Sequence, residues 1–267
     1  MTGVLIKNPK GFNFGYKSIT QIDEVDCPTG IEFGISILEK GKVITLGKPL
    51  ESAYLLIKGE VTFKYQNHEI TVSRDSLFDE DPFALHVPAN TAGEIIARSD
   101  AEIAISQVEN DQQFEPMFFD SKNMLESEQR GKGQLGDTAH RVVRTIFDKR
   151  NRPEANLVLG EVINLPGRWS SYPPHHHPQP EIYHYRFTEP QGYGHGELDD
   201  DIYKIKQYDT LKILDEKDHS QTAAPGYGMY YIWIIRHLAD NPYTVPEFTE
   251  EHRWTLEDNA SVWQPKG

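Results

Sequence analysis

Short apolar runs separated by turn residues are the feature that most constrains the fold of this chain. The runs are rich in Val, Ile, Tyr and Phe, and Gly, Pro, Asn and Asp separate them at intervals of about ten residues. Several short strands at this spacing favour a β-sandwich or β-barrel over a parallel α/β sheet. The first half of the chain contains runs at residues 31–38, 52–57, 60–65, 69–72 and 101–108.

The residues between these runs predict where the chain turns. Lys58 with Gly59, Gln66 with Asn67, and residues 88–90 combine Gly, Asn or Pro with polar neighbours. Such combinations are typical of hairpin connections and short loops. We therefore expect each of these three places to join one strand to the next.

A change of pattern near the middle predicts two β domains. Residues 109–141 are polar and contain glycine, and their periodicity is weak, which is typical of a connection between domains. We expect an N-terminal domain at 1–112, a connecting segment at 113–140 and a C-terminal domain at 141–267. One short helix is expected near 117–129, and the proline-rich tail after Asn241 is expected to wrap around the body. Strand-like runs in the second half lie at 141–147, 156–165, 181–187, 201–207, 210–214 and 230–235.

Charge and cysteine content limit the partners and the compartment. There are 27 Lys and Arg against 41 Asp and Glu, a net charge of −14, which argues against binding to nucleic acid or to an anionic membrane. No stretch approaches the ~18 uninterrupted apolar residues of a transmembrane helix. The N-terminus lacks the pattern of a signal peptide. The single cysteine, Cys27, fits a reducing interior, so we expect a cytoplasmic protein.

The densest chemistry in the sequence is a run of three histidines followed by a glutamate. In an extended segment alternate side chains share a face, so His175, His177 and Glu181 can converge while His176 points away. Imidazole nitrogen and carboxylate oxygen are the donors found in Zn²⁺, Mn²⁺ and Fe²⁺ sites. His219 follows a later strand across a short turn and could add a fourth ligand. The spacing alone leaves open a solvated loop without any ion.

The segment around these histidines resembles a known enzyme family. Gly-Arg-Trp-Ser-Ser-Tyr-Pro-Pro-His-His-His at residues 167–177, then Glu-Ile-Tyr-His-Tyr at 181–185 and Pro-Gln-Gly-Tyr-Gly at 190–194, resembles the 5-deoxy-glucuronate isomerases of bacterial myo-inositol catabolism. That family is a bicupin. The resemblance therefore implies an all-β fold of two jelly-roll barrels in tandem with little helix.

The resemblance also implies a metal centre in the second barrel. His175, His177, Glu181 and His219 would be the ligands of one divalent metal per chain, with Zn²⁺ favoured and Mn²⁺ or Fe²⁺ as alternatives. The first half has no His-x-His pair, only the scattered His68 and His86. We expect that half to be a scaffold without metal, and the whole chain to form a homo-oligomer.

The implied reaction is the conversion of 5-deoxy-D-glucuronate to 5-dehydro-2-deoxy-D-gluconate, an aldose–ketose isomerisation. A divalent cation would polarise the carbonyl and stabilise an enediolate. The candidate catalytic residues are Glu181, Tyr183 and Tyr185. The two tyrosines share the face of Glu181 and could donate to the enediolate oxygen, although strand tyrosines are more often packing residues. Hydride transfer between the carbons is an alternative to proton transfer.

A uronate carries a carboxylate, and a guanidinium binds a carboxylate best through two parallel hydrogen bonds. The candidate substrate-binding residues are Arg141, Arg168 and Arg186, with Arg141 preferred because the resemblance places an arginine at the entry to the second barrel. Three other functions stay open at this point. They are 4-deoxy-L-threo-5-hexosulose-uronate ketol-isomerase, an Fe²⁺ cupin dioxygenase, and a sugar-binding cupin without turnover.

Overall fold

The computed structural model describes residues 3–257 and 260–266, and almost all regular structure in them is β. Two short 3-10 helices are also present, at Leu135–Asp137 and Glu250–Leu256. In the described residues no helix is long and apolar enough to cross a membrane. The strands are β1 (Leu5–Ile6), β2 (Gly15–Thr20), β3 (Glu32–Leu38), β4 (Val43–Thr45), β5 (Glu51–Tyr65), β6 (His68–Arg74), β7 (Ala84–Val87), β8 (Gly93–Ala97), β9 (Ala101–Val108), β10 (Met117–Phe119), β11 (Glu128–Arg130), β12 (Arg141–Phe147), β13 (Leu157–Asn164), β14 (Trp169–His176), β15 (Glu181–Phe187), β16 (Tyr193–Leu198), β17 (Asp201–Lys206), β18 (Thr210–Ile213), β19 (His219–Ala223), β20 (Met229–Arg236) and β21 (Glu247–Phe248).

The first half of the chain is one antiparallel sheet that folds over at β5. The first part of β5 pairs with β7 and β9 in the order β10-β7-β5-β9-β3-β2. The second part pairs with β6 and β8, and β8 pairs with β4. A single 15-residue strand therefore contributes to both walls of the first barrel.

The continuity of β5 corrects the sequence prediction of a turn at Lys58 and Gly59. The chain stays extended there, with a register shift between Leu56 and Lys58. Gly59 has φ +95°, and a Cβ atom at this position would lie 2.3 Å from the carbonyl oxygen of Asp100. Glycine is needed because the strand bends and packs closely against its neighbour. The predicted turn at Gln66 and the residue after it is a hairpin between β5 and β6.

The second half forms two antiparallel sheets. One has the order β1-β18-β15-β20-β13-β12-β11, and the other has the order β17-β16-β19-β14-β21. The N-terminal strand β1 belongs to the sheet of the second half, where Leu5 pairs with Leu211. The tail after Asn241 returns to the body, because β21 pairs with β14.

The connecting segment contains two short strands and the 3-10 helix Leu135–Asp137, but residues 117–129 contain no helix, so the helix predicted there is wrong. β10 joins the sheet of the first half through β7, and β11 joins the sheet of the second half through β12. Phe118 in β10 packs against Phe63 and Phe83. Aromatic residues favour a pleated, half-buried surface over a helix, and this packing overrides the weak helical pattern. The domain boundaries at 112 and 140 stay a prediction.

Three apolar clusters explain why the sequences of so many strands are continuous apolar runs. One lies within the first half, one within the second half, and the third joins residues of both halves. Successive side chains of a strand face opposite ways. In β15, Ile182 packs in the shared cluster, whereas Tyr183 and Tyr185 pack in the cluster of the second half. The sheets of the two halves therefore stack back to back, and strands between them are buried on both faces.

Candidate metal centre

Three strands of the second half bring the predicted ligands together. His175 in β14 and His219 in β19 are direct cross-strand partners in an antiparallel pair. Glu181 opens β15 in the opposite sheet, and His177 lies in the connection between β14 and β15. Because β14 and β15 lie in different sheets, this short connection takes the chain from one sheet to the other. The ligands therefore meet between the two sheets.

Three of the four predicted ligands form a tight group. The ligand atoms of His177, Glu181 and His219 all lie within 4.8 Å of one another, and all three residues are buried. Glu181 Oε2 is 3.2 Å from His177 Nε2 and 3.4 Å from His219 Nε2. His175 lies beside the group, with its ring centre 4.4 Å from that of His219. His176 points away, and its Nδ1 is 2.7 Å from a carboxylate oxygen of Asp218.

A backbone carbonyl two residues away holds the Nδ1 atom of each of the three predicted histidine ligands. His175 Nδ1 is 3.3 Å from Pro173 O, and His177 Nδ1 and His219 Nδ1 are 2.9 and 3.0 Å from the carbonyls of Gln179 and Lys217. A carbonyl accepts only, so Nδ1 carries a proton, and in the neutral imidazole Nε2 has the lone pair that a metal ion binds. Such carbonyl contacts orient metal-binding histidines in proteins.

The protonation states of the group also suit a cation. Burial raises the pKa of Glu181, but its hydrogen bond with His177 and its contact with His219 outweigh this and lower the pKa to about 2. Burial, and then the charge of His219, lower the pKa of His175 well below its ordinary value. At neutral pH the group therefore contains a carboxylate and at least one neutral imidazole, which are the ligand forms that divalent metals bind.

The residues present fit a divalent metal ion. His219 Nε2 is buried and lacks a hydrogen-bond partner in the part of the chain that the structure describes. A buried nitrogen lone pair without a donor is costly unless something binds it. Three imidazoles and one carboxylate match the donors used by zinc, manganese and iron.

The two candidate catalytic tyrosines take different places. Tyr183 lines the cavity beside the histidines, and its hydroxyl is 3.3 Å from the hydroxyl of Ser171. Burial and the charge of Glu181 raise the pKa of Tyr183 well above its ordinary value, so the hydroxyl stays protonated. Tyr185 lies two residues after Tyr183 in β15. It is fully buried and does not line this cavity.

The cavity beside the histidines has a volume of about 470 Å³. Pockets for small ligands range from roughly 300 to 1,000 Å³. Its wall includes Tyr231, Trp233 and Tyr243, three aromatic residues that sequence reasoning did not select. Tyr231 donates to or accepts from Ser170 at 2.6 Å, which fixes the tyrosine ring in the wall.

Of the three predicted substrate-binding arginines, the structure brings only Arg141 to the cavity. Arg168 lies in the turn before β14, where its backbone amide donates to Leu165 O. Arg186 lies on the opposite face of β15 and forms an ion pair with Glu102 of the first half. The same side-chain alternation that groups Tyr183 with Glu181 sends Arg186 away from them.

The tail after Asn241 packs against one side of the histidine group. The ring of Tyr243 lies 4.9 Å from the ring of His177, and Phe248 in β21 lies 5.9 Å from His175. The backbone amide of Tyr243 donates to Nδ1 of His237 at 2.9 Å. An acceptor nitrogen must be unprotonated, so this contact requires a neutral His237.

We expect the metal-free protein to lose stability as the pH falls from about 6.5 to about 4. Burial and the charge of Lys149 lower the pKa of His237 to about 4, against an ordinary value of 6.5. In this window the unfolded chain binds a proton that the folded chain excludes, so acid favours unfolding. Urea unfolding at several pH values in chelator should show this slope. His237→Asn keeps an acceptor and should reduce the slope; equal slopes would contradict the assignment.

The sequence of the chain matches a known protein family. The KduI/IolB family model matches residues 5–255. A 5-deoxy-glucuronate isomerase from Geobacillus kaustophilus HTA426 is 26% identical over 254 residues, which are 88% of this chain and 88% of the relative. The isomerase class expected from the sequence agrees with this name.

Solved structures confirm the cupin fold. An IolB-like protein from Salmonella typhimurium LT2 superposes with a TM-score of 0.84 at 20% identity, covering 96% of this chain and 100% of that one. A cupin 2 conserved barrel domain protein from Leptotrichia buccalis gives a TM-score of 0.51 at 16% identity, over 86% of this chain and 92% of that one. With its two back-to-back β halves and its family match over nearly the whole length, the chain belongs to the KduI/IolB family.

Proposed function

We propose that this protein is an aldose–ketose isomerase that converts 5-deoxy-D-glucuronate to 5-dehydro-2-deoxy-D-gluconate. In this reaction the hydrogen on the hydroxyl-bearing carbon moves to the aldehyde carbon, and the hydroxyl proton moves to the aldehyde oxygen. No atom is gained or lost, so neither an oxidant nor a second substrate is needed. The observation that carries the proposal is a His/Glu group and an arginine on the wall of one cavity in a chain of this family.

His177, Glu181 and His219 would hold one divalent metal, and His175 would complete the set from β14. Zinc is the preferred ion for this donor set, with manganese and iron as alternatives. When bound, such an ion acts as a Lewis acid that polarises a carbonyl and lowers the cost of negative charge on its oxygen.

Tyr183 would supply a proton to the reacting oxygens. Its hydroxyl lies on the cavity wall, and its raised pKa keeps it a donor at neutral pH instead of a base. Ser171, 3.3 Å away, can hold the hydroxyl in place. A donor aimed at an oxygen that gains negative charge stabilises the transition state more than the substrate.

Arg141 would bind the carboxylate at the far end of the substrate. Arg141 is 8% exposed and lines the cavity. A charge-assisted hydrogen bond at a site screened from water is stronger than the same bond in solution. The uronate would then be held at both ends, with its aldehyde end towards the histidines.

The experiment is an anaerobic NMR time course of the purified protein with 5-deoxy-D-glucuronate, run with chelated and metal-restored samples. We expect the aldehyde signal to give way to the ketone only in the metal-restored sample. Turnover without oxygen excludes a dioxygenase, and 4-deoxy-L-threo-5-hexosulose-uronate in a parallel tube tests the related ketol-isomerase. Binding of the uronate without turnover in the metal-restored sample would instead identify a binding protein.

The proposed setting is the cytoplasm, with the substrate supplied by myo-inositol catabolism. The acidic chain, with a net charge of −14, fits a small uronate partner better than nucleic acid or a membrane surface. A homo-oligomer is part of the same proposal, and size-exclusion chromatography with light scattering tests it.

A further inference from the structure

Two arginines face each other across a pair of strands at the wall of the cavity. Arg130 in β11 and Arg141 in β12 are direct partners in the antiparallel register. Residues opposite each other in such a pair project from the same face of the sheet. Both side chains line the cavity that also contains His177 and Glu181.

This arrangement is unfavourable for the protein alone. Like charges directly opposite each other on neighbouring strands destabilise a sheet. Burial, together with the charge of Arg130, lowers the pKa of Arg141. A carboxylate in contact compensates a guanidinium, and Glu128 does so for Arg130.

Arg141 has no such carboxylate. Among residues 3–257 and 260–266, no carboxylate oxygen lies within 4.0 Å of its guanidinium nitrogens, although Arg141 is almost fully buried. Its hydrogen bonds go to backbone carbonyls, from Nη1 to Ala139 O at 2.9 Å and from Nη2 to Tyr172 O at 3.3 Å. A guanidinium has five N–H donors, so several remain for a ligand.

The guanidinium group of Arg130 is only partly engaged in hydrogen bonds within the protein. Its Nε and Nη2 atoms donate to the carboxylate of Glu128 at 2.8 and 3.2 Å. No hydrogen bond of its Nη1 is found in the part of the chain that the structure describes. The side chain is about half exposed, at 48%, so it stands nearer the mouth of the cavity than the buried Arg141.

We propose that Arg130 and Arg141 together form the carboxylate subsite of the cavity, and that Arg130 makes the site selective for sugar acids over neutral sugars. One carboxylate between the two guanidinium groups would relieve their repulsion and satisfy the free N–H groups. This inference rests on the proposed function, because it places the acid end of the same substrate. It adds Arg130, which nothing in the sequence pattern had indicated.

The test measures binding without turnover. Chelator-treated protein is titrated calorimetrically with 5-deoxy-D-glucuronate and with the uncharged analogue whose carboxylate is replaced by a hydroxymethyl group. For Arg130→Met we expect the Kd for the uronate to rise about 10- to 100-fold, the range for loss of a charge-assisted hydrogen bond. The Kd for the uncharged analogue should change by less than about twofold. Arg130→Lys keeps the charge but not the planar fork and should fall in between.

Arg150 provides a matched control. Like Arg130 it pairs with an acidic residue two positions earlier, Asp148, and its side chain is 61% exposed, but it does not line the cavity. Arg150→Met removes the same charge from the same acidic protein and should change the Kd for the uronate less than about twofold, because exposed charges beyond contact distance are screened by salt.

The outcomes separate this inference from the proposed function. Equal loss of affinity for the uronate and its uncharged analogue in Arg130→Met, or no loss, would overturn the inference. Failure of the wild-type protein to bind the uronate would also overturn it. A wild-type protein that binds the uronate through Arg130 but does not isomerise it after metal is restored would overturn only the proposed function.

Discussion

Glu181→Gln is expected to remove the bound metal and to lower kcat/KM by more than about 100-fold while the protein stays folded. The amide has the size of the carboxylate but no charge, and Glu181 is the only anion in the group of His177, Glu181 and His219. Removing a residue that merely orients a ligand costs roughly 10- to 100-fold in metal affinity or activity, so losing a ligand costs at least that much. The measurements are metal content after dialysis and the rate of the isomerase assay.

His176→Ala is the control for this variant. His176 lies between two predicted ligands in the chain, but it contacts Asp218 on the outer face and is about one-third exposed. Its removal should leave metal content and kcat/KM within about threefold of wild type, because it offers no lone pair to the centre. If Glu181→Gln kept one metal per chain and its activity, the centre would not be where the geometry places it.

The predicted ligands show what the sequence can and cannot provide. His175, His177 and Glu181 lie within seven residues of one another, so side-chain alternation indicates that they can converge, although the spacing alone also allows a solvated loop. His219 is far away in sequence, and only the pairing of β14 with β19 sets it opposite His175. Sequence spacing leaves that register open, and the resemblance to a family supplied it.

The same alternation separates one candidate, Arg186, from the residues of the cavity. Glu181 and Tyr183 lie on the face of β15 that points into the barrel of the second half, and Arg186 lies on the other face. A side chain on that other face points towards the first half, and there Arg186 forms an ion pair with Glu102. Applying the two-residue period to every residue of the strand predicts this without a structure.

Arg130 and Tyr243 were missed for a different physical reason. Both lie in polar or proline-rich segments whose local pattern carries no period. Arg130 lies in β11, an edge strand of only three residues, and Tyr243 lies outside any strand, where its backbone amide donates to His237. Tertiary contacts hold such edge strands, and their sequences carry too few residues to show alternation.

The turn predicted at Lys58 and Gly59 illustrates the limit for the fold. A glycine with positive φ suits a hairpin turn and a bend within a strand equally well. What distinguishes them is the set of partner strands, because the first part of β5 pairs with β7 and β9 and the second with β6 and β8. These pairings join residues far apart in the chain, so a short window of sequence does not contain the answer.

Glu161→Gln is expected to lower the free energy of unfolding by about 3–5 kcal/mol, the range for breaking a buried ion pair. The carboxylate of Glu161, in the second half, accepts hydrogen bonds from both Nη atoms of Arg74, in the first half, at 2.6 and 2.9 Å. It accepts a third from the hydroxyl of Tyr230 at 2.6 Å. The side chains of Glu161 and Arg74 are fully buried. Burial lowers the pKa of Arg74, but the charge and hydrogen bond of Glu161 raise it by more. The net effect is a pKa above the ordinary value of arginine.

The cost is large because the change leaves a buried cation without its partner. Arg144 lies 3.7 Å from the same carboxylate, so two guanidinium groups lose one anion. Whole domains are stable by only about 5–15 kcal/mol, so this single substitution should lower Tm by roughly 10 °C. Urea unfolding followed by both fluorescence and circular dichroism measures the loss. It also shows whether the two halves begin to unfold separately.

Two further variants separate the ion pair from general damage. Arg74→Met combined with Glu161→Gln removes both charges, so the double variant should be less destabilised than the sum of the two single variants. Arg150→Met breaks an exposed pair with Asp148 and should cost less than about 1 kcal/mol. Metal content should stay at the wild-type level in the folded Glu161→Gln protein, since Glu161 faces the first half and not the cavity. A loss below about 1 kcal/mol in Glu161→Gln would mean that apolar packing between the sheets, and not this ion pair, holds the halves together.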